Sequence, residues 1–290
     1  MSEAQARTLR SADGQTLALR EWTDTLVPPR ALVHITHGLG EHAGRYAHVA
    51  RRLNALGFAV RAHDHYGHGL SGGARGGLPH ETRLLDDLAL LVEDGRAAFP
   101  GLPLVLLGHS MGGLAAASFV ARGVRPVDAL VLSSPALSPT LSAVQKGLIA
   151  VLSRLAPGLR VGNGLDAKNL SHDPAVAPAY TGDPLNHDRI GARLARFLAD
   201  EGARVMQAAP HWPVPTLLLY AGADRLVRPE GSRDFAAAAA PSGQVRAIAF
   251  EQHFHEIFNE LDAKPVFDAL EHWLAERFGS SAPAPAAVRA

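Results

Sequence analysis

Apolar positions fall first into alternation and then into blocks. Residues 7 to 22 alternate as two short strands around Asp13-Gly14, a dipeptide whose tolerance of positive φ suits a hairpin turn. Beyond it, near-continuous apolar runs recur at Ala31 to Ile35, Phe58 to Ala62, Leu104 to Leu107, Ala129 to Leu132, Thr216 to Tyr220 and Val245 to Phe250. Strands covered by helices on both faces read this way, because no position along them meets water. Between the runs, apolar residues return at helical spacing. Tyr46, Val49, Leu53 and Leu56 share one face and Leu84, Leu88 and Leu91 another; Phe267, Leu270 and Leu274 follow Pro265, and Gly279 is the stop. The rhythm predicts an α/β fold with a mostly parallel central sheet and helices on both faces.

One stretch breaks the rhythm. Roughly 80 residues separate the run ending at Leu132 from the one starting at Thr216, far more than a connection needs. Val144, Leu148, Val151, Leu152 and Leu155 mark one amphipathic helix and Ile190, Leu194, Phe197 and Leu198 another, separated by a Pro-, Gly- and Asp-rich segment from Pro157 to Pro184. The expectation is a helical cap over 137–210, inserted into a catalytic domain formed by 1–136 and 211–279. The Ser/Ala/Pro-rich 280–290 reads as a disordered tail.

Composition narrows the chemistry. With 47% hydrophobic and 19% charged residues the chain can bury a large core, and 28 basic against 28 acidic residues leave no footprint for nucleic acid. A neutral, partly apolar small substrate fits better. The absence of cysteine excludes disulfides, thiolate metal sites and a thiol nucleophile. Met1 to Arg10 has no apolar core, and the densest apolar run, Leu148 to Leu152, is too short to span a bilayer, so a cytoplasmic protein, peripheral to membranes at most, is expected.

Gly108-His109-Ser110-Met111-Gly112 sits between the run Leu104 to Leu107 and the helix-forming Leu114 to Ala117. Between strand and helix, that pentapeptide is a nucleophile elbow: Gly108 and Gly112 let the two elements approach while Ser110 projects. A serine hydroxyl needs a base, and the base an acid to orient it, in chain order Ser, acid, His. Asp224 stands just past the run from Thr216, at the carboxyl edge where ligands bind in open α/β sheets. Either His253 or His255 can be the base by spacing; a helix start expected at Glu256 to Glu260 favours His255. His37-Gly38-Leu39-Gly40, after the run Ala31 to Ile35, occupies the place of the second oxyanion-hole amide, so the backbone N–H groups of Leu39 and Met111 are the candidate donors.

His37-Gly38-Leu39-Gly40-Glu41-His42 with Arg45-Tyr46, His63-Asp64-His65-Tyr66-Gly67-His68-Gly69, Gly108 to Gly113, Asp183-Pro184-Leu185, Ala223-Asp224 and His255-Glu256 with Asn259-Glu260 together resemble the monoacylglycerol lipase and lysophospholipase-like family of serine α/β-hydrolases. The resemblance runs from about residue 7 to 278. It implies the α/β-hydrolase fold, the triad Ser110, Asp224 and His255, hydrolysis of a carboxylic ester such as a monoacylglycerol under a cap that admits the acyl chain, and no cofactor. It also makes Glu41 and Arg45 candidates for substrate binding, and the apolar cap faces candidates for transient membrane or micelle contact. The chain departs from the family pattern in two respects: Gln252 replaces the usual glycine three residues before the catalytic histidine, and no polar cap residue matches a head-group contact. Rival readings are a zinc hydrolase using His63, His65 and His68, a non-catalytic binding module on the same fold, and acyl transfer by the same triad. The serine elbow explains more of the chain than a metal site does, and acyl transfer, which uses the same triad, stays open at this point.

Overall fold

In the computed structural model, residues 4–25, 27–138 and 143–279 are described; the expected tail over 280–290 and the Val144 side chain lie outside them. The chain runs β1 (Gln5–Arg10), β2 (Thr16–Trp22), β3 (Leu32–Thr36), α1 (Ala47–Ala55), β4 (Ala59–His63), α2 (Arg83–Ala98), β5 (Leu104–His109), α3 (Ser110–Ala121) and β6 (Ala129–Ser133). After β6 come α4 (Ala143–Leu155), β7 (Arg160–Gly162), α5 (Val176–Gly182), β8 (Arg189–Gly191) and α6 (Ala192–Ala208). The last third is β9 (Thr216–Ala221), α7 (Pro229–Ala239), β10 (Val245–Phe250) and α8 (Lys264–Phe278).

Eight strands form one sheet in the order β1-β2-β4-β3-β5-β6-β9-β10. The hairpin β1–β2 and the β2–β4 pair are antiparallel, and every other neighbour is parallel. The central strands are fully buried, and the two-residue period of a strand splits their side chains between two cores. Leu104, Leu106, Leu130, Leu132 and Leu218 pack with α2, α3, α6 and α7; Val105, Leu107, Val131, Leu217 and Leu219 pack with α1 and α8. The layers are those of an α/β-hydrolase, and the apolar runs end one or two residues short of the carboxyl ends of several strands, where polar site residues take over.

Two helices differ from their sequence pattern. Ile190 belongs to β8, paired with Val161 in a separate two-stranded ribbon, and the following helix starts at Ala192. The segment Glu256 to Glu260 holds only a 3-10 turn, Ile257–Asn259; α8 starts at Lys264, with Pro265 in its first turn, where a missing N–H costs nothing.

The segment between β6 and β9 attaches chiefly through α6, which packs on α3 and α4. Glu201 of α6 accepts from Ser118 Oγ of α3 and from Arg122, the residue that caps its C-terminus, and Gly202 allows α6 to lie against the Leu137 carbonyl. On α4 the foreseen apolar stripe turns largely outward, with Leu148, Val151 and Leu155 exposed and Leu152 half-buried, whereas Ile149, outside that stripe, lines a cavity.

The first turn of α3 is pressed closely onto the carboxyl end of β3. A methyl at Gly112 would overlap the carbonyls of Thr36 and His37, and one at Gly108 would lie 2.5 Å from the Gly112 carbonyl. Gly112→Ala is therefore expected to lose about 1–3 kcal/mol or more by overpacking. Gly147→Ala, in α4 with nothing within 4 Å of the added methyl, should gain about 0.5–1 kcal/mol. Urea denaturation midpoints of the two variants check the contrast.

Candidate active site

Ser110 is the first residue of α3 and has φ 53°, a strained left-handed conformation for a residue with a side chain. The strain follows from the strand-to-helix reversal that Gly108, Gly112 and Gly113 make possible, and it turns the hydroxyl out of the core. At a helix N-terminus the first amides have no partner within the helix, and the dipole favours negative charge. Met111 contributes such an amide beside Ser110.

His255 and Asp224 arrive from the loops after β10 and β9. His255 Nδ1–H donates to Asp224 Oδ2 at 2.6 Å, and Asp224 Oδ1 accepts from the amides of Leu226 (2.8 Å) and Val227 (2.9 Å), so both carboxylate oxygens are engaged. Burial raises the Asp224 carboxyl, but the imidazole and the two amides outweigh it and hold it below the ordinary 3.8. Burial likewise works against a charged His255; the Asp224 charge and hydrogen bond, with Glu256 and Glu41 behind them, reverse the sign and lift it above 6.5. His253 lies elsewhere: its ring stacks on Phe250, with centroids 5.3 Å apart. Of the two candidate bases, the structure gives His255 the carboxylate partner.

Ser110 and His255 line one cavity of about 510 Å³, whose walls also include Leu39 and Met111. No hydrogen bond joins Ser110 to His255 among the described residues; catalytic hydrogen bonds are often long in ligand-free enzymes and tighten when substrate binds. Gly38 brings the loop after β3 against the nucleophile: a methyl there would sit 3.2 Å from Ser110 Cβ. The two candidate oxyanion donors, Leu39 and Met111, thus flank the serine.

Glu41 and Arg45 are engaged by other groups of the protein. Glu41 Oε1 accepts from the Gly38 amide and the Tyr46 hydroxyl, each at 2.6 Å, and Glu41 Oε2 accepts from Arg45 at 2.6 Å. Arg45 also donates to both Glu256 oxygens, at 2.5 and 2.7 Å, and lies over the Tyr180 ring. Burial would raise the Glu41 carboxyl, but Arg45, with His109 and His37, pulls it down to about 2. Glu41 borders the cavity; Arg45 is not among its lining residues. The pair connects the loop carrying Gly38 to the residue after His255, so its charges hold the site together.

His63 and His65, the core of the zinc reading, direct ring nitrogens at each other and at further histidines rather than at a shared vacant point. Two site residues escaped sequence reasoning. Asn163 and Tyr180, from the segment between β6 and β9, line the cavity and carry buried polar atoms, Asn163 Nδ2 and Tyr180 Oη, that lack partners. Both converge on Gly40, where a methyl would lie 2.8 Å from Tyr180 Oη and 3.2 Å from Asn163 Nδ2. No local pattern marks them, because they meet the site only across the fold.

The profile of the family described as serine aminopeptidase, S33, matches residues 27–262. The chain is 41% identical over 261 residues to the monoacylglycerol lipase of Mycolicibacterium smegmatis, covering 87% of this chain and 90% of that enzyme. It is 36% identical over 276 residues to the monoglyceride lipase of Homo sapiens, covering 93% and 90%. The crystal structure of Paleococcus ferrophilus monoacylglycerol lipase superposes with a TM-score of 0.79 at 32% identity, over 95% of this chain and 99% of that one.

With His255 as the base for Ser110, only the neutral imidazole can take the proton, and the rate is expected to fall as pH drops through its raised pKa. The acid limb of kcat/KM should have its midpoint above 6.5. Asp224→Asn removes the charge that lifts it, moving the limb down, and lowers kcat by about 10³–10⁴-fold through loss of the right tautomer. His255→Ala should nearly abolish turnover, whereas His253→Ala should keep most of it; steady-state rates on a soluble ester distinguish them.

Proposed function

The chain belongs to the monoacylglycerol lipase-like family of serine α/β-hydrolases that the S33 profile covers, and from that premise we propose that it hydrolyses monoacylglycerols through an acyl-enzyme on Ser110. It is a carboxylic ester hydrolase. The observation that carries the substrate reading is the cavity: Ser110 and His255 stand in a space of about 510 Å³ whose walls are otherwise largely apolar, including Ile149, Val161, Leu165 and Leu198. That size is typical of small-ligand sites, and an apolar lining favours an acyl chain by roughly 0.8 kcal/mol for each methylene buried. The unpartnered Asn163 Nδ2 and Tyr180 Oη supply a polar end beside the loop of Leu39, suited to the hydroxyls of a glycerol head.

In this reading Ser110 Oγ attacks the ester carbonyl while His255 Nε2 takes its proton. The Leu39 and Met111 amides hold the resulting oxyanion, and His255 then gives the proton to the leaving alcohol. Water, deprotonated by the same imidazole, attacks the acyl-enzyme and releases the fatty acid. Asp224 keeps the Nδ1–H tautomer and stabilises the imidazolium. The segment 137–210 acts as the cap that closes the acyl space. Its Leu148 (57% exposed), Val151 (49%) and Leu155 (80%) on α4 turn apolar side chains outward, which supports contact with a lipid surface from which substrate is drawn. No helix among the described residues is long and apolar enough to cross a membrane.

A kcat/KM series over 1-monoacylglycerols, lysophospholipids and short simple esters tests the substrate. Monoacylglycerols should lead, and a lead for short esters would overturn the lipase reading while leaving the triad intact. Labelling by a fluorophosphonate should vanish in Ser110→Ala. A Leu148→Ser/Val151→Ser/Leu155→Ser variant should lose about tenfold or more in vesicle partitioning yet keep its rate on a soluble ester. Flotation with phospholipid vesicles measures the partitioning.

A further inference from the structure

Four buried histidines, His34, His37, His63 and His65, none more than 1% exposed, form a hydrogen-bonded file that the chemistry above does not use. His34 Nε2 lies 2.9 Å from His63 Nδ1, and His63 Nε2 lies 3.1 Å from His65 Nδ1. His65 Nε2 reaches the His37 carbonyl at 3.1 Å, and the His65 backbone N–H donates to His37 Nε2 at 2.9 Å. His37 Nδ1 closes the file on the Gly38 carbonyl at 2.8 Å.

The ends of the file determine its protons. A carbonyl can only accept, so His65 carries its proton on Nε2 and His37 on Nδ1; a backbone N–H can only donate, which leaves His37 Nε2 bare, in agreement. His65 Nδ1 must then accept from His63 Nε2–H, and His63 Nδ1 from His34 Nε2–H. Every ring is neutral and every bond points toward the loop after β3. Burial foremost keeps all four imidazoles below their ordinary 6.5, His34 at about 3 and His37 at about 4, so this pattern holds at neutral pH.

The loop needs such support. Gly38 has no side chain and Gly40 has φ 78°, so the peptide planes between them can rotate at little steric cost. The plane joining His37 to Gly38 is held at both ends, its carbonyl by His65 Nε2–H and its N–H by Glu41. The next plane consists of the Gly38 carbonyl and the Leu39 N–H, which point in opposite directions in a trans peptide. Pinning the Gly38 carbonyl to His37 Nδ1–H therefore aims the Leu39 N–H the other way.

We propose that the file His34, His63, His65 and His37 is a positioning device that pre-orients the Leu39 amide toward the oxyanion, with His37 as its working end. This rests on the reading of Ser110 as nucleophile and Leu39 as oxyanion donor. Electrostatic stabilisation is strongest when the donors need no reorganisation at the moment of reaction, and a flipped peptide would present a carbonyl where a donor is required. None of the four histidines touches substrate; they act through the backbone.

His37→Leu removes the donor to the Gly38 carbonyl, whereas His37→Asn places an amide N–H where Nδ1–H stood. On a soluble ester, His37→Leu should lower kcat by about 10²–10³-fold with KM changed less than about threefold. A trifluoromethyl ketone, whose adduct with Ser110 carries the oxyanion, should bind more weakly by the same factor, while a non-hydrolysable ether analogue keeps its affinity within about threefold. His37→Asn should recover kcat to within about tenfold of the parent. A His37→Leu enzyme with near-parental kcat, or with equal losses for ketone and ether, overturns the proposal. If His37→Leu does not fold, a second pair replaces it: His65→Gln keeps an N–H for the His37 carbonyl and His65→Met does not. A kcat lost in His65→Met and kept in His65→Gln supports the proposal, and equal kcat in the two overturns it. Ser110→Ala separates the two levels: activity surviving there sinks the site reading itself, whereas its loss beside a fully active His37→Leu sinks only the positioning role.

Discussion

The carbonyls of Thr36 and His37 lie against Gly112, and the geometry of the whole site depends on that contact. It presses the first turn of α3 onto the carboxyl end of β3, so the strained turn at Ser110 and the loop of Gly38 to Gly40 occupy one corner of the molecule. No side chain fits at the crossing, and for this reason glycine stands on both sides of the serine. Backbone amides from two separate segments can then converge on a single developing charge. The parallel neighbours β3 and β5 fix the relative height of the two segments, with Thr36 opposite Gly108 in register.

Around that corner the protein uses buried polar groups in two ways. Glu41, Arg45, Tyr46 and Glu256 form a charged network in which each carboxylate is met by a guanidinium, and burial is offset by close, charge-assisted hydrogen bonds. The histidine file on the other side is neutral and one-directional, held neutral by its burial. Both terminate on the same short loop: Glu41 takes the Gly38 amide, and His37 and His65 take the carbonyls on either side of it. A glycine-rich segment that would otherwise be permissive is thus constrained from two directions, which reconciles close backbone approach with a rigid site.

The segment between β6 and β9 completes the cavity and is tied to the rest of the chain at several points. Its α6 is fastened to α3, the helix that begins with Ser110, and the Leu170 carbonyl accepts the Glu256 amide beside His255. Its apolar residues face both ways: Ile149, Val161 and Leu198 reach the cavity, and Leu148, Val151 and Leu155 face outward. A single helix stripe could not serve both surfaces, which explains why the apolar periodicity there is broader than packing alone requires.

The strands and most helices were legible because their signals are local. A buried parallel strand is an apolar run, and a helix packed on it is an apolar stripe. Where neighbouring contacts override the local pattern, the reading slips, as at Ile190, drawn into a ribbon by Val161, and at Glu256 to Glu260, where Arg45 and Asn259 hold Glu256 and the chain makes only a short 3-10 turn. Ser110 was visible from its own pentapeptide, since the glycines needed by the turn are its immediate neighbours. Asp224 and His255 followed from chain order, but the sequence left two histidines in contention, and only a carboxylate brought across from another loop distinguishes them. The partners of Glu41 and Arg45, namely Tyr46, Glu256 and the Gly38 amide, were not visible in the sequence. Asn163, Tyr180 and the direction of the histidine file were beyond reach, because hydrogen-bond direction depends on which groups meet at the ends. By itself the sequence determined most of the elements, the candidate nucleophile and the chain order of the candidate triad, all properties of near neighbours; tertiary structure alone decided which histidine, which loop amide and which polar wall share one cavity, because those are distances between segments far apart in the chain.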